Sequence, residues 1–207
     1  MINIIDYEMG NLRSVEKAFE SLGFAVRVSA NPQDIASADK IVLPGVGAFA
    51  DCVNNLRAGG FVDPLLAHVK TGKPLLGICV GMQMLFDESE EFGQHQGLGL
   101  IPGKVMRFPS GMVENGERLK VPHMGWNNLL QKQASPLFKG VLDESFVYFV
   151  HSYYCQAENQ ADVAASCRYG EVEFCASLWH DNILATQFHP EKSQLIGLNI
   201  FKNFGEM

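Results

Sequence analysis

Pro74-Leu75-Leu76-Gly77-Ile78-Cys79-Val80-Gly81-Met82-Gln83 is an apolar run that turns through Gly-x-Cys-x-Gly into a segment with apolar residues at helical spacing (Met82, Leu85, Phe86). The pattern predicts strand, tight turn and helix, the form of a nucleophile elbow with cysteine in place of serine. The two glycines remove side chains that would collide with neighbouring backbone, so a strained bend can lift the middle residue above the C-terminal edge of a sheet. At a helix start the sulfur meets unpaired N–H groups that favour the thiolate. Most free cysteines are buried small hydrophobes, and elbow-like patterns arise by chance in α/β proteins. Cys79 therefore needs a base before the pattern means chemistry.

Upstream of the elbow, short apolar runs at 3–6, 25–28, 41–43 and 75–79 alternate with helix-period segments, the signature of β-α-β units around a parallel sheet. Leu12, Val15, Phe19 and Leu22 mark the first helix, which Gly23 stops; further helices are predicted over 49–57 and 64–70. Downstream, β-rich runs at 146–154, 163–168, 173–178 and 183–187 precede one helix at 193–204. Antiparallel strands should extend the sheet there. The glycine-rich segment 93–122 reads as the most loop-like part. No linker or repeat divides the chain, so the expectation is one α/β domain, 1–207, with a mostly parallel twisted sheet, flanking helices and an antiparallel extension.

The 207 residues are 47% hydrophobic, enough for one compact core, and carry a net charge of −7. Such a field repels phosphate backbones and anionic lipid, which argues against nucleic-acid or membrane binding. No stretch approaches the roughly 18 apolar residues of a membrane span, and the N-terminus reads as a first strand rather than a signal peptide. Five cysteines (Cys52, Cys79, Cys155, Cys167, Cys175) without a C-x-x-C pair argue against a disulfide framework or a zinc site. A reducing cytoplasm is expected, with all but Cys79 packing in the core.

Of six histidines, one stands where an imidazole could be oriented: Ala185-Thr186-Gln187-Phe188-His189-Pro190-Glu191-Lys192-Ser193 follows a β-rich run. Residues i and i+2 of an extended segment face one side, so Glu191 can accept from one nitrogen of His189 while the other faces the sulfur. Pro190 keeps His189 out of the helical region. The candidate triad is Cys79–His189–Glu191. Read separately, His189 is a strand-end histidine and Glu191 a first-turn acid, with Ser193 or a neighbour as helix cap. Joint occurrence with the elbow favours chemistry. Leu43-Pro44-Gly45-Val46-Gly47-Ala48 ends the third predicted strand. Its glycines allow N–H groups to face a cleft as oxyanion donors beside the N–H of Val80, although the same stretch also suits an ordinary β-to-α turn. A phosphate cradle fits less well, because no Gly-Lys-Ser/Thr or G-x-G-x-x-G is present.

These stretches, with Asp6-Tyr7-Glu8-Met9-Gly10-Asn11-Leu12-Arg13-Ser14-Val15, Gly97-Leu98-Gly99-Leu100-Ile101-Pro102-Gly103 and Pro122-His123-Met124-Gly125-Trp126-Asn127, resemble the triad-type (class I) glutamine amidotransferases. Within them the resemblance is to the glutaminase-subunit family of imidazole glycerol phosphate synthases, over essentially the whole chain. Glu8 stands where that family often has a small residue.

The resemblance implies that the chain hydrolyses glutamine, with no cofactor or metal. It also implies a heterodimer with a separate (β/α)₈ cyclase subunit, which uses the ammonia to make imidazole glycerol phosphate. It places Asn11, Trp126, Tyr148 and Lys192 near the docking face or ammonia exit, although core packing accounts equally for Trp126 and Tyr148. Gln83 would help hold the glutamine. Removing one oxyanion donor typically costs about 10²–10³ in turnover, so a small rearrangement at Gly45–Gly47 could gate the reaction. Three rival readings remain. A paralogous glutaminase could feed a surface-sugar amidation, and the pyridoxal-phosphate-synthase glutaminase has a different oxyanion segment. In the third, the cysteine elbow serves as a peptidase or redox sensor and the His189–Glu191 pair is coincidental.

Overall fold

The computed structural model describes residues 1–114 and 116–207. Its first half follows the expected alternation: β1 (Ile2–Ile5), α1 (Leu12–Ser21), β2 (Val26–Ser29), β3 (Lys40–Leu43), α2 (Phe49–Ala58), α3 (Val62–Lys70) and β4 (Leu75–Ile78). The single turn α4 (Val80–Gln83) leads into β5 (Phe86–Ser89), β6 (His95–Gln96), β7 (Ile101–Arg107), β8 (Val113–Glu114) and β9 (Glu117–Arg118). There follow β10 (His123–Asn128), β11 (Leu130–Gln131), β12 (Phe146–His151), β13 (Tyr153–Ala157), β14 (Val163–Tyr169), β15 (Val172–His180), β16 (Ile183–Thr186) and α5 (Gln194–Glu206).

Five strands in the order β2-β1-β3-β4-β16 pair in parallel, and β15, β13, β7, β5 and β6 continue the sheet with mainly antiparallel pairing. Every residue of β1, β4 and β16 is buried, as expected for strands covered on both faces. Phe19 of α1 packs on Phe201 and Phe204 of α5, with ring centroids 4.6 and 6.2 Å apart. One apolar cluster runs from Ile2 to Phe204. The consequence for function is positional. β3, β4 and β16 are neighbours, and their C-terminal ends carry Gly45–Gly47, Cys79 and His189, at the edge where open α/β sheets bind ligands.

Two expectations need correction and one needs refinement. The helix after the elbow is one turn, because the backbone N–H groups of Leu98, Leu100 and Ile101 take the carbonyls of Met84 and Leu85 at 2.8–3.0 Å and draw the chain into β5. Segment 93–122 is loop-rich as expected, but it also holds a long strand that its composition hid. β7 alternates buried Ile101, Gly103 and Val105 with exposed Pro102 and Lys104, and it pairs with β13 and β5. Finally, the apolar run 146–154 breaks at Ser152. β12 pairs with β10 in a separate two-stranded sheet, whereas β13 joins the main one.

Candidate active site

Cys79 has φ 56° and ψ −111°, a backbone region that side-chain-bearing residues rarely enter. Its N–H donates to the Thr186 carbonyl at 2.7 Å, and its own carbonyl accepts from Met82 and Gln83. The glycine pattern has a direct cause. A Cβ on Gly81 would run into the Leu43 carbonyl of β3, and one on Gly45 would sit 2.6 Å from the Gly81 nitrogen. The elbow is thus wedged against β3. Because α4 is so short, the helix-end field expected at the sulfur is weak.

His189 is anchored through its backbone N–H to the Tyr148 carbonyl at 2.9 Å, and its Nδ1 lies 2.8 Å from Glu191 Oε1. The side chains of both are almost wholly buried. The ring and Cys79 line the same cavity. Burial opposes its charge, but its interactions with Cys79 and Glu191 outweigh it, raising the imidazole pKa to about 10. Ser193 does not cap α5 with its side chain. Its hydroxyl donates to the His189 carbonyl at 2.7 Å and accepts from the Tyr148 N–H at 3.0 Å, stitching the histidine loop to β12.

Cys79, His189, Gln83, Val46, Gly47 and Val80 line one cavity of about 310 Å³. Gly45 lies behind it, against the elbow. Gly47 has φ 95°, which favours glycine. On either side of the Gly45–Val46 peptide the strand is held: the Tyr7 hydroxyl donates to the Pro44 carbonyl at 2.6 Å, and the Cys52 thiol to the Val46 carbonyl at 3.3 Å. Gln83 is buried, its amide nitrogen 3.1 Å from both the Tyr153 carbonyl and Gln187 Oε1.

Of the residues expected at a docking face, Trp126 and Tyr148 oppose each other across β10 and β12 with rings 6.1 Å apart. Trp126 is 45% exposed, so it is not a core residue. Lys192 Nζ lies 5.7 Å from the centre of the Tyr148 ring. Trp126, Phe146 and Leu195 border an open groove. Asn11 Nδ2 donates to Glu191 Oε1 at 3.4 Å, joining this face to the buried carboxylate.

Sequence reasoning missed several neighbours of the cavity. Glu91 lines it, with its carboxyl pKa raised by burial and an oxygen accepting from the Phe49 N–H at 2.7 Å. Gln187 is fully buried with Nε2 3.8 Å from Cys79 Sγ. Its signal was a polar residue inside an apolar strand end, which must find a partner. Cys52 and Cys155 also do more than pack, since both thiols hydrogen-bond to groups at this site. Cys167 and Cys175 are buried, and burial raises both thiol pKa values to about 12.

Residues 3–206 match the family described as "Glutamine amidotransferase class-I". The chain is 62% identical to the imidazole glycerol phosphate synthase subunit HisH of Geobacter sulfurreducens, covering all of this chain and 98% of the relative. It is 60% identical to the protein of that description from Syntrophotalea carbinolica, covering both in full. Among solved structures, a glutamine amidotransferase superposes with a TM-score of 0.75 at 19% identity, covering 100% of this chain and 99% of that one. The PurLQS structure from Thermotoga maritima gives a TM-score of 0.73 at 18% identity, covering 98% and 96%. These two likenesses speak to the fold alone. The chain belongs to the class-I glutamine amidotransferase family, in the branch of the imidazole glycerol phosphate synthase HisH subunits.

Proposed function

We propose that this chain is the glutaminase subunit of an imidazole glycerol phosphate synthase, with Cys79, His189 and Glu191 as its catalytic triad. The observation that carries the reading is that His189, hydrogen-bonded to Glu191, and Cys79 line one cavity large enough for a small amino acid. The Cys79 thiolate attacks the glutamine carboxamide carbon, and backbone N–H groups at Val80 and the Gly45–Gly47 strand hold the resulting oxyanion. His189 passes its proton to the leaving nitrogen, ammonia departs, and a γ-glutamyl thioester remains. Water, with His189 as base, then releases glutamate and restores the thiol. Glu191 fixes the ring and steadies its positive form. The Glu91 carboxylate suits the substrate's α-ammonium, and Gln83 borders the same space.

The partner in this reading is a (β/α)₈ cyclase subunit forming a heterodimer, seated over Asn11, Trp126, Tyr148 and Lys192. Residues 1–207 act as a single domain in a reducing cytoplasm, with glutamine as the small-molecule substrate and no cofactor. Gly45–Gly47 is the switchable part of the oxyanion strand, through which partner and acceptor binding raise glutaminase activity. Glutamate release by the reconstituted complex, with and without the acceptor nucleotide, tests this. The reading expects release to rise when nucleotide binds, with formation of imidazole glycerol phosphate. Equal rates for the free chain and the saturated complex would overturn the gating, and ammonia transfer only to a sugar-amidating synthase would overturn the pathway.

A further inference from the structure

We propose that Gln187 is a positioning residue for the Cys79 sulfur, its amide held in one orientation by the Tyr153 carbonyl acting through Gln83. The inference rests on Cys79 being the nucleophile. Its logic begins at a backbone carbonyl, which can only accept. The Tyr153 carbonyl lies 3.1 Å from the Gln83 amide, so the atom facing it is the nitrogen. That nitrogen has a second hydrogen, directed at the Gln187 amide 3.1 Å away, so the facing atom of Gln187 is its oxygen. The Cys155 thiol approaches the same oxygen at 3.9 Å. Gln187 is therefore obliged to turn its NH₂ toward Cys79 Sγ, at 3.8 Å.

A separate chain ends on the same carbonyl of Tyr153. It receives His151 Nδ1 at 2.8 Å, so that nitrogen carries the proton. Burial and the neighbouring imidazole hold His151 neutral, with a pKa of about 3, leaving its Nε2 as a lone pair. His123 Nδ1, 3.1 Å away, must then donate, and His123 Nε2 accepts from Asn127 Nδ2 at 3.3 Å. Asn127 is fixed in its turn by donating to the Arg168 carbonyl at 2.7 Å. Backbone carbonyls at Arg168 and Tyr153 thus set every proton between the β10 surface and the sulfur. An N–H aimed at sulfur favours the thiolate and keeps it turned into the cavity. The titratable groups near the sulfur are His189, Tyr7, Cys52 and Cys155, with Glu91, His151 and Lys192 around the same cavity; of these only Cys155 touches Gln187, through its thiol at 3.9 Å.

The test is the pH dependence of iodoacetamide alkylation at Cys79 in the full-length chain and in Gln187→Met, which matches the shape without the donor. The midpoint should rise in the variant, slowing alkylation near neutral pH about tenfold. In the partner complex kcat should fall by a similar factor while the KM for glutamine stays within about twofold. A folded variant with the wild-type midpoint and kcat overturns the proposal. If Gln187→Met does not fold, the wild-type chain decides. The Gln187 side-chain amide protons should shift in NMR spectra as Cys79 titrates, and a resonance that ignores the titration overturns the proposal. Failure of the nucleophile reading looks different: Cys79→Ala would keep glutaminase activity, or alkylation would fall elsewhere in wild type.

Discussion

At the residue scale, the proposed triad places opposed tendencies on one ring. Burial disfavours a charged imidazole, yet its interactions with Cys79 and Glu191 raise the His189 pKa to about 10. Against an unfolded value near 6.5, this group's contribution to stability is complete below about pH 6.5 and is lost as pH rises toward 10. Glu191→Gln should lower the imidazole midpoint in an NMR titration and reduce glutamine turnover by about 10²-fold or more. The same variant should weaken the upper arm of the stability profile recorded by denaturant melts between those pH values. Glu8 offers a stabilising change. It adopts φ 69°, a left-handed conformation that explains why a small residue suits the position. Glu8→Gly should leave turnover intact and stabilise the fold by up to about 1 kcal/mol, read as a higher unfolding midpoint.

At the scale of elements, the site is built by close approach of two strand ends. Gly81 on the elbow and Gly45 in the segment that follows β3 touch with no room for a Cβ. Gly81→Ala should destabilise the fold by about 2 kcal/mol or more and abolish glutamine hydrolysis, as read by thermal melts and glutamate release. Tyr7→Phe removes the hydroxyl that holds the Pro44 carbonyl, at a cost of about 1 kcal/mol, and should alter turnover more than KM. The parallel strands were legible because their causes are local, apolar runs and helical spacing; the His189–Glu191 pair was anticipated for a geometry the fold does not use, since only His189 is extended and Pro190–Lys192 form a 3-10 turn. β7 was hidden by its one glycine and its proline, although Ile101, Gly103 and Val105 already alternate. The break at Ser152 was not legible, because the β12 and β13 partners lie far away in sequence. Gln187 was missed for a similar reason. The sulfur that gives its amide a purpose is 108 residues earlier.

At the scale of the molecule, the sheet brings the chemistry to one edge and leaves an apolar face beside it. Trp126, Phe146 and Leu195 are exposed there, with Asn11 bonded through to Glu191. Trp126→Ala should weaken cyclase binding about tenfold or more in calorimetry, as expected for an exposed aromatic anchor. Acid stability has its own source. His123 and His151 are held by burial at pKa values of about 4 and 3. Both are neutral in the fold but take up protons near 6.5 when unfolded. The stability this permits is present above about 6.5 and is lost as pH falls toward 3, so chemical denaturation midpoints should decline across that window.

The central claim is that Cys79 is a glutamine-directed nucleophile activated by His189. A chloroketone analogue of glutamine, followed by peptide mass spectrometry of the complex, tests it most directly. One label per chain on Cys79, suppressed by excess glutamine and lost in His189→Ala, is the predicted result. Labelling spread over other cysteines, or unaffected by glutamine, would contradict it.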